Sequence, residues 1–516
     1  MLDIIQLLIL GVVATAGYVV FRGSRHDPRE PPMLSNGIPI ISHLLGVMWY
    51  GIGYWTMQAK QNASYSIFGI DLLVTKIYIV TSPQLMQVIQ RNKSLRLDPL
   101  LDITVRSFSG ITNKKTLDLL VDTTSGGQGF SQKLMHSLAP TMIGKSLDEM
   151  NIRMVRYMTP LIDELGDKAP FDLYMWCQDA ITDASTDTMY GPMNPFKDKE
   201  ISDAFWDFEK GLGALMPNIL PWLTAHKPWK ARQKMSAAIL KYHQNGGIEH
   251  ASELIKLRHT STLGAGITPE EYALLEVPMP IGFLSNTVPA TFWSIYDIYS
   301  RPELLDDLRK EVELNALFTR ADGTHVIDIG ALRGSCPLLL STFQEILRVR
   351  TMSSPTRFVT QDTIIADKYL VKAGNLVTMP SLEMGKRPEV WGETAEVFDA
   401  HRFMTGASSK ADPGEREPRR AGGFMTFGVS PTICPGRHFA SSEILGMVAT
   451  MILRYDISPL SGTWEEPEKS SSSLVSIMTP VKGKFPVTVK RRQEYEGTKW
   501  DFHVEEGKGQ FPLVIG

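Results

Sequence analysis

The chain has 516 residues, with 53 basic and 56 acidic side chains and a formal net charge of −3. At 43% hydrophobic and 21% charged it can bury a large core, which excludes a disordered, collagenous or coiled-coil protein. The near-neutral charge argues against nucleic acid as a partner, and three cysteines (Cys177, Cys336 and Cys434) cannot build a disulfide framework, which fits a reducing compartment.

The first predicted element is a transmembrane anchor over 2–21, LDIIQLLILGVVATAGYVVF, in which only Asp3 and Gln6 are strongly polar. At about 1.5 Å per residue, such a helix spans the roughly 30 Å hydrocarbon layer. Arg22, Arg25 and Arg29 follow the apolar run, whereas a cleaved signal peptide carries its charges before it. The expectation is a single-pass membrane protein of the endoplasmic reticulum, in contact with membrane lipid and with its catalytic body in the cytosol. A hinge over 22–48, stiffened by Pro28, Pro31, Pro32 and Pro39, leads into one catalytic domain over 49–516 without repeats.

Within that domain helical patterns dominate. Helices are predicted over Ser82–Arg91, Asp148–Leu165, Asp172–Met189, Ser202–Leu215, Pro228–Asn245, Pro269–Leu275, Pro302–Phe318, Pro337–Arg350 and Ala440–Arg454. Strands are predicted over Leu72–Val80, Thr363–Met379 and Phe485–Lys490, giving a mainly α chain with small sheets. The polar, turn-rich run 406–423 reads as a surface excursion ahead of a functional loop.

That loop is FMTFGVSPTICPGRHFA, from Phe424 to Ala440. Cys434 stands just before a predicted helix, where backbone N–H groups and the helix dipole favour a thiolate. Gly436 lets the backbone approach a flat macrocycle, and Phe427 can pack beside the sulfur. A lone cysteine is ordinarily a buried structural residue. Here the surrounding pattern resembles the haem-binding loop of the cytochrome P450 family, Phe-x-x-Gly-x-x-x-Cys-x-Gly, with Phe427, Cys434 and Gly436 in register. Ser430 replaces the family glycine, and Thr432 stands where many members carry a basic residue for a haem propionate.

The resemblance extends outward. Glu345 and Arg348, in FQEILR, share one helical face, and Arg402, in FDAHRFM, is similar to the second arginine of the family's structural triad. It implies that these three hold the fold and retain haem. Arg357 is implied as a propionate-binding base, and Lys133 or His136, in FSQKLMHSLAP, as a further one; the bland alternative for the latter pair is the surface of an amphipathic helix.

The distal segment GFLSNTVPATFWSIYDIYSRPELL, Gly282–Leu305, departs from the common family pattern. Asn286 falls where the usual Thr stands, and Ser285 replaces the acid. Pro289 cannot donate to the carbonyl of Ser285, so that carbonyl and the Asn286 amide are expected to be available to water or dioxygen. The plain alternative for Asn286 is a helix-packing amide. This pattern resembles the branch containing steroid 7α-hydroxylases and prostacyclin synthase. Asn286 and Thr287 are therefore the candidate catalytic pair, and Ala290, Thr291, Ser353, Ser354 and the turn Val475–Met478, including Ile477, the candidate substrate contacts. MPNILPWL, Met216–Leu223, reads as core or as a membrane-dipping route for substrate.

What the resemblance implies is a cytochrome P450 fold behind one membrane helix, binding haem b with Cys434 as axial iron ligand. The implied reaction is monooxygenation of a lipophilic, terpenoid- or steroid-like substrate in specialised-metabolite biosynthesis, with NADPH electrons arriving through a flavoprotein reductase. A reductase-independent isomerase or dehydratase acting on a hydroperoxide or endoperoxide stays open as the alternative.

Overall fold

The computed structural model describes residues 27–507, apart from 35–40, 52, 73–74, 98, 101–103, 122–128, 168–169, 405–423, 430–431, 471–472 and 474. The anchor over 2–21, part of the hinge and the whole excursion 406–423 lie outside the described residues. Among the described residues, no helix is long and apolar enough to cross a membrane.

Helices carry the bulk of the chain, and the largest core cluster lies among them. Helix Leu173–Tyr190 starts where the Asp172 carboxylate accepts the N–H groups of Tyr174 and Met175, which satisfies donors that a helix start leaves open. It packs against the long helices Gly144–Asp163 and Thr287–Tyr299, while Arg437–Arg454 packs against the same two. That last helix buries nearly every side chain, as expected of an element enclosed on all sides.

The sheets are small and peripheral. The largest has six strands in the order Met33–Leu34, Ile67–Asp71, Lys76–Val80, Leu376–Thr378, Thr356–Val359 and Leu95–Arg96. It brings Arg357 opposite Val377. A second sheet joins Tyr455–Pro459 to Pro486–Arg491 and Phe171–Asp172.

The helix Pro337–Arg350 has the predicted bounds. The predicted helix Ser202–Leu215 is two pieces, Lys199–Lys210 and Leu212–Leu215, because Gly211 interrupts it against the Pro228 ring. Pro302–Phe318 stops at Asn315, and Phe318 joins the strand Leu317–Thr319, paired with His325–Asp328. The predicted strand Leu72–Val80 is a hairpin of Ile67–Asp71 and Lys76–Val80. Thr363–Met379 is a hairpin followed by a strand of another sheet, turning at Ala366 and Asp367 with positive φ.

Candidate active site

Cys434 follows a tight hairpin in which Gly428 pairs with Ile433 and Val429 with Thr432. Gly428 has φ +86°, a left-handed conformation that glycine adopts without steric cost. The Cys434 N–H donates to the Phe427 carbonyl (2.7 Å), which closes the loop. Gly436 is the N-cap of Arg437–Arg454, and the Arg437 guanidinium donates to the Cys434 carbonyl (3.0 Å).

Burial raises the thiol of Cys434, while the backbone N–H groups of Gly436 and Arg437 and the Arg437 charge pull it down. Cys177 and Cys336 are buried as well, and burial pushes Cys336 up to about 12 and Cys177 further. Cys434 is thus the thiol that backbone N–H groups at a helix start pull toward thiolate; Cys336 also caps a helix, but its sulfur faces the Glu311 carbonyl at 4.0 Å. A Cβ on Gly436 would stand 3.4 Å from Met142 Cε and 4.0 Å from the sulfur, so the missing side chain keeps that flank open. Phe427 is half-buried against the main core, and Phe424 is edge-on to Phe403 at 5.5 Å.

Below this loop Glu345, Arg348 and Arg402 form a buried cluster. Arg348 donates Nε to Oε2 and Nη2 to Oε1 of Glu345, both at 2.7 Å. Arg402 Nε reaches the same carboxylate at 3.1 and 3.2 Å. The remaining guanidinium donors go to backbone: Arg348 to Gly385, Ala395 and Val397, and Arg402 to Trp391, Thr394 and Val397. The Asp399 N–H adds a fourth residue to Glu345 Oε1 (2.9 Å). One carboxylate therefore fastens the helix Pro337–Arg350 to the coil that leads toward Cys434.

The distal segment is not one kinked helix. A short turn, Ile281–Leu284, breaks at Ser285, and a new helix, Thr287–Tyr299, starts with Asn286 at its N-cap. Pro289 thus lies in the first helical turn, where a missing N–H is tolerated. Nor is the Ser285 carbonyl open: the Ser476 hydroxyl lies 2.8 Å from it and shares its one hydrogen with the Met478 carbonyl at 2.5 Å. Asn286 Oδ1 accepts the Ile477 N–H at 2.6 Å. The Ile477 carbonyl in turn accepts the Met352 N–H (2.7 Å), and the neighbouring Thr351 hydroxyl meets that of Thr426 in the cysteine loop (3.1 Å). The distal break, the late turn, the segment after Pro337–Arg350 and the cysteine loop therefore form one connected wall.

Other sequence candidates sort by what their polar atoms do. The Thr291 hydroxyl is spent on the Thr287 carbonyl, and Ser353 on Ser381, so both are buried and internally bonded. Ala290 and Thr287 are buried beside them. Ser354 Oγ is buried and has no hydrogen-bond partner among the described residues. Arg357 is buried on its strand and donates to the Thr356 carbonyl; desolvation lowers its basicity. Lys133 and His136 are exposed on the helix Phe130–Leu138. Ser476, which the sequence offered only as a member of a turn, proves central to the distal wall; no sequence signal links it to a residue 191 positions away.

The donor set suits haem. A thiol at a helix start, a glycine-cleared flank beside it and a buried guanidinium, whose desolvation cost an anionic propionate would offset, are the contacts such a group requires.

The profile of the family described as Cytochrome P450 matches residues 31–487. Cytochrome P450 monooxygenase nodJ of Hypoxylon pulicicidum is 40% identical over 99% of this chain and 100% of its own length. A cytochrome P450 monooxygenase of Gibberella zeae is 28% identical over 92% of each chain. More distantly, the 5-beta-cholestane-3-alpha,7-alpha-diol 12-alpha-hydroxylase of Sus scrofa is 23% identical over 87% of this chain and 91% of its own.

Proposed function

Because the chain belongs to the cytochrome P450 family, we propose that it is a membrane-anchored monooxygenase oxidising a lipophilic substrate of terpenoid or steroid size. The observation that carries this reading is the Cys434 sulfur at the start of Arg437–Arg454, facing the N–H groups of Gly436 and Arg437. Cys434 would hold the haem iron and Arg357 a propionate; Lys133, being exposed, would reach only the rim. Bound haem supplies oxygen activation, and a thiolate ligand pushes electron density toward O–O cleavage.

The chain's own residues set the conditions for that chemistry. The amides of Gly436 and Arg437 stabilise negative charge on the sulfur, and Phe427 shields its flank from water. On the other side Asn286 presents a neutral amide next to the Thr287 start of the distal helix. Its oxygen is held by Ile477, so its amide hydrogens are the atoms left to orient a polar ligand. Ala290, Thr291, Ser353, Ser354 and Ile477 would shape the substrate space. They do so mainly through their apolar surface, since the hydroxyls of Thr291 and Ser353 are already engaged.

The size class is supported by the porcine relative, whose name specifies a cholestane-derived substrate. Fungal monooxygenases among the similar proteins support a role in specialised metabolism. Ile219 and Leu223 are 66% and 64% exposed, with Trp222 and Leu220 beside them, and this supports contact with a bilayer near the substrate route. Electrons would come from NADPH through a flavoprotein reductase. The test is incubation of membranes containing the protein with reductase, NADPH and a terpenoid panel under isotopically labelled dioxygen. Label in the product is expected. Product from a hydroperoxide without reductase would instead establish the isomerase or dehydratase reading.

A further inference from the structure

Two consecutive residues of the late turn grip two consecutive residues of the distal break. Pro289 has no N–H to offer the Ser285 carbonyl; the Ser476 hydroxyl lies 2.8 Å from that oxygen and 2.5 Å from the Met478 carbonyl, so its one hydrogen ties the break to the turn as a shared bond. One residue on, the Ile477 N–H binds Asn286 Oδ1 at 2.6 Å. A backbone N–H can be met only by the amide oxygen, so this bond fixes which way the Asn286 amide is turned. Its Nδ2 is left on the other side of the amide, a pure donor.

The turn is itself anchored. Ser473 Oγ accepts the Ser476 N–H (2.9 Å) and donates to the buried carboxyl of Glu209 (2.5 Å), on the helix Lys199–Lys210. Ser476 is fully enclosed, 3% exposed, so its hydroxyl is not competing with solvent for the Ser285 carbonyl.

We propose that Ser476 is a positioning residue for the oxygen side of the site: with Ile477 it locks the break at Ser285 and Asn286, so that Asn286 offers a hydrogen-bond donor, and never an acceptor, to the ligand above the haem. This rests on the haem-thiolate reading above and assigns that site a polarity. A donor favours dioxygen and substrate oxygens that accept, and disfavours a substrate hydroxyl needing an acceptor at the same point.

The experiment uses the reduced holoenzyme with carbon monoxide as the probe, read by the C–O stretching frequency. The red-shifted carbon monoxide absorption band, recorded on the same samples, reports separately on thiolate ligation. Wild type is expected to show one C–O stretch. Ser476→Ala keeps the absorption band and adds a second, higher-frequency stretch, because the turn then loses its hold on the break and the Ile477 N–H no longer keeps the Asn286 amide in one orientation in every molecule. Asn286→Asp, which keeps an acceptor for Ile477 but loses the donor, moves the single stretch up. Ser476→Thr, which keeps the hydroxyl, restores the wild-type spectrum and carries the test if the alanine variant fails to retain haem. A Ser476→Ala stretch identical to wild type, or a split stretch in Ser476→Thr, overturns the proposal. Absence of the red-shifted band in wild type overturns the underlying reading as well.

Discussion

Glu345 is fully buried between two guanidiniums, and every lone-pair direction of its carboxylate is used. Removing it strands two buried cations, a loss of about 3–5 kcal/mol for a broken buried pair. Glu345→Ala should therefore lower the unfolding midpoint and cut haem retention, read as haem content per chain after purification; wild-type haem content would contradict the structural role. Glu443 shows the opposite logic. It has no cation beside it, and burial pushes its carboxyl up to about 8, with Ser185 as its hydrogen-bond partner at 2.8 and 2.9 Å. One hydroxyl hydrogen cannot serve both oxygens, so the carboxyl proton makes one of these bonds. Unfolded, the group returns to its ordinary value of 4.5. Between about 4.5 and 8 the folded chain holds one more proton than the unfolded chain, so this contribution to stability falls as pH rises and levels off above 8. Glu443→Gln, neutral at every pH, should flatten that slope and raise stability at pH 8 by on the order of a few kcal/mol. Chemical denaturation across the window checks it, and an unchanged slope would mean that Glu443 is ionised in the fold.

At the scale of elements, the helix Arg437–Arg454 shows why packing depends on one missing side chain. A Cβ on Gly446 would come within 3.0 Å of Ile329 Cδ1 and 3.2 Å of Met158 Cε, so only glycine lets both neighbours approach. Gly446→Val should cost about 1–3 kcal/mol by overpacking, seen as a lower denaturation midpoint; an unchanged midpoint would show that Ile329 and Met158 yield freely. Pro337–Arg350 was legible with its start, because Pro337 marks it; the cysteine helix was legible as an apolar run from Ala440, while its first turn begins at Arg437, directly after Cys434-Pro435-Gly436. The loop residues Phe427, Cys434 and Gly436 and the Glu345, Arg348 and Arg402 cluster were legible for a related reason: their spacings are local, or tied to motifs of fixed form. The distal break was legible only by half. Proline announces that the Ser285 carbonyl loses a helical partner, but the hydroxyl that replaces it sits 191 positions away, and no local pattern encodes that meeting. The helices Ile41–Tyr50, Gly53–Gln61, Lys114–Val121 and Glu253–Gly264 escaped prediction too. Glu253–Gly264 is the plainest case, for its apolar residues do not gather on one face and tertiary packing holds what local pattern does not announce.

At the scale of the molecule, the carboxyl-terminal stretch beyond the family match at residue 487 closes the structure from behind the cysteine helix. Strand Trp500–His503 pairs in parallel with His325–Asp328, and the Gly507 N–H reaches Asp148 Oδ2 (2.8 Å). Trp500 lies 5.3 Å from the Arg454 guanidinium, and Phe502 lies against Gly446. The chain end thus braces the helix whose first turn holds the sulfur. Phe502→Ala should cost about 3 kcal/mol and loosen that brace, with haem lost at lower temperature than in wild type; thermal melting followed at the haem absorption reads it, and coincident curves would contradict the bracing role.

Arg357, Asn286 and Ser476 have their assigned roles only if Cys434 binds iron. The most direct measurement is the carbon monoxide difference spectrum of the reduced protein, wild type beside Cys434→Ser. The account predicts a red-shifted band in wild type and its loss in the variant; the same band in both, or none in a haem-supplied wild type, would contradict it.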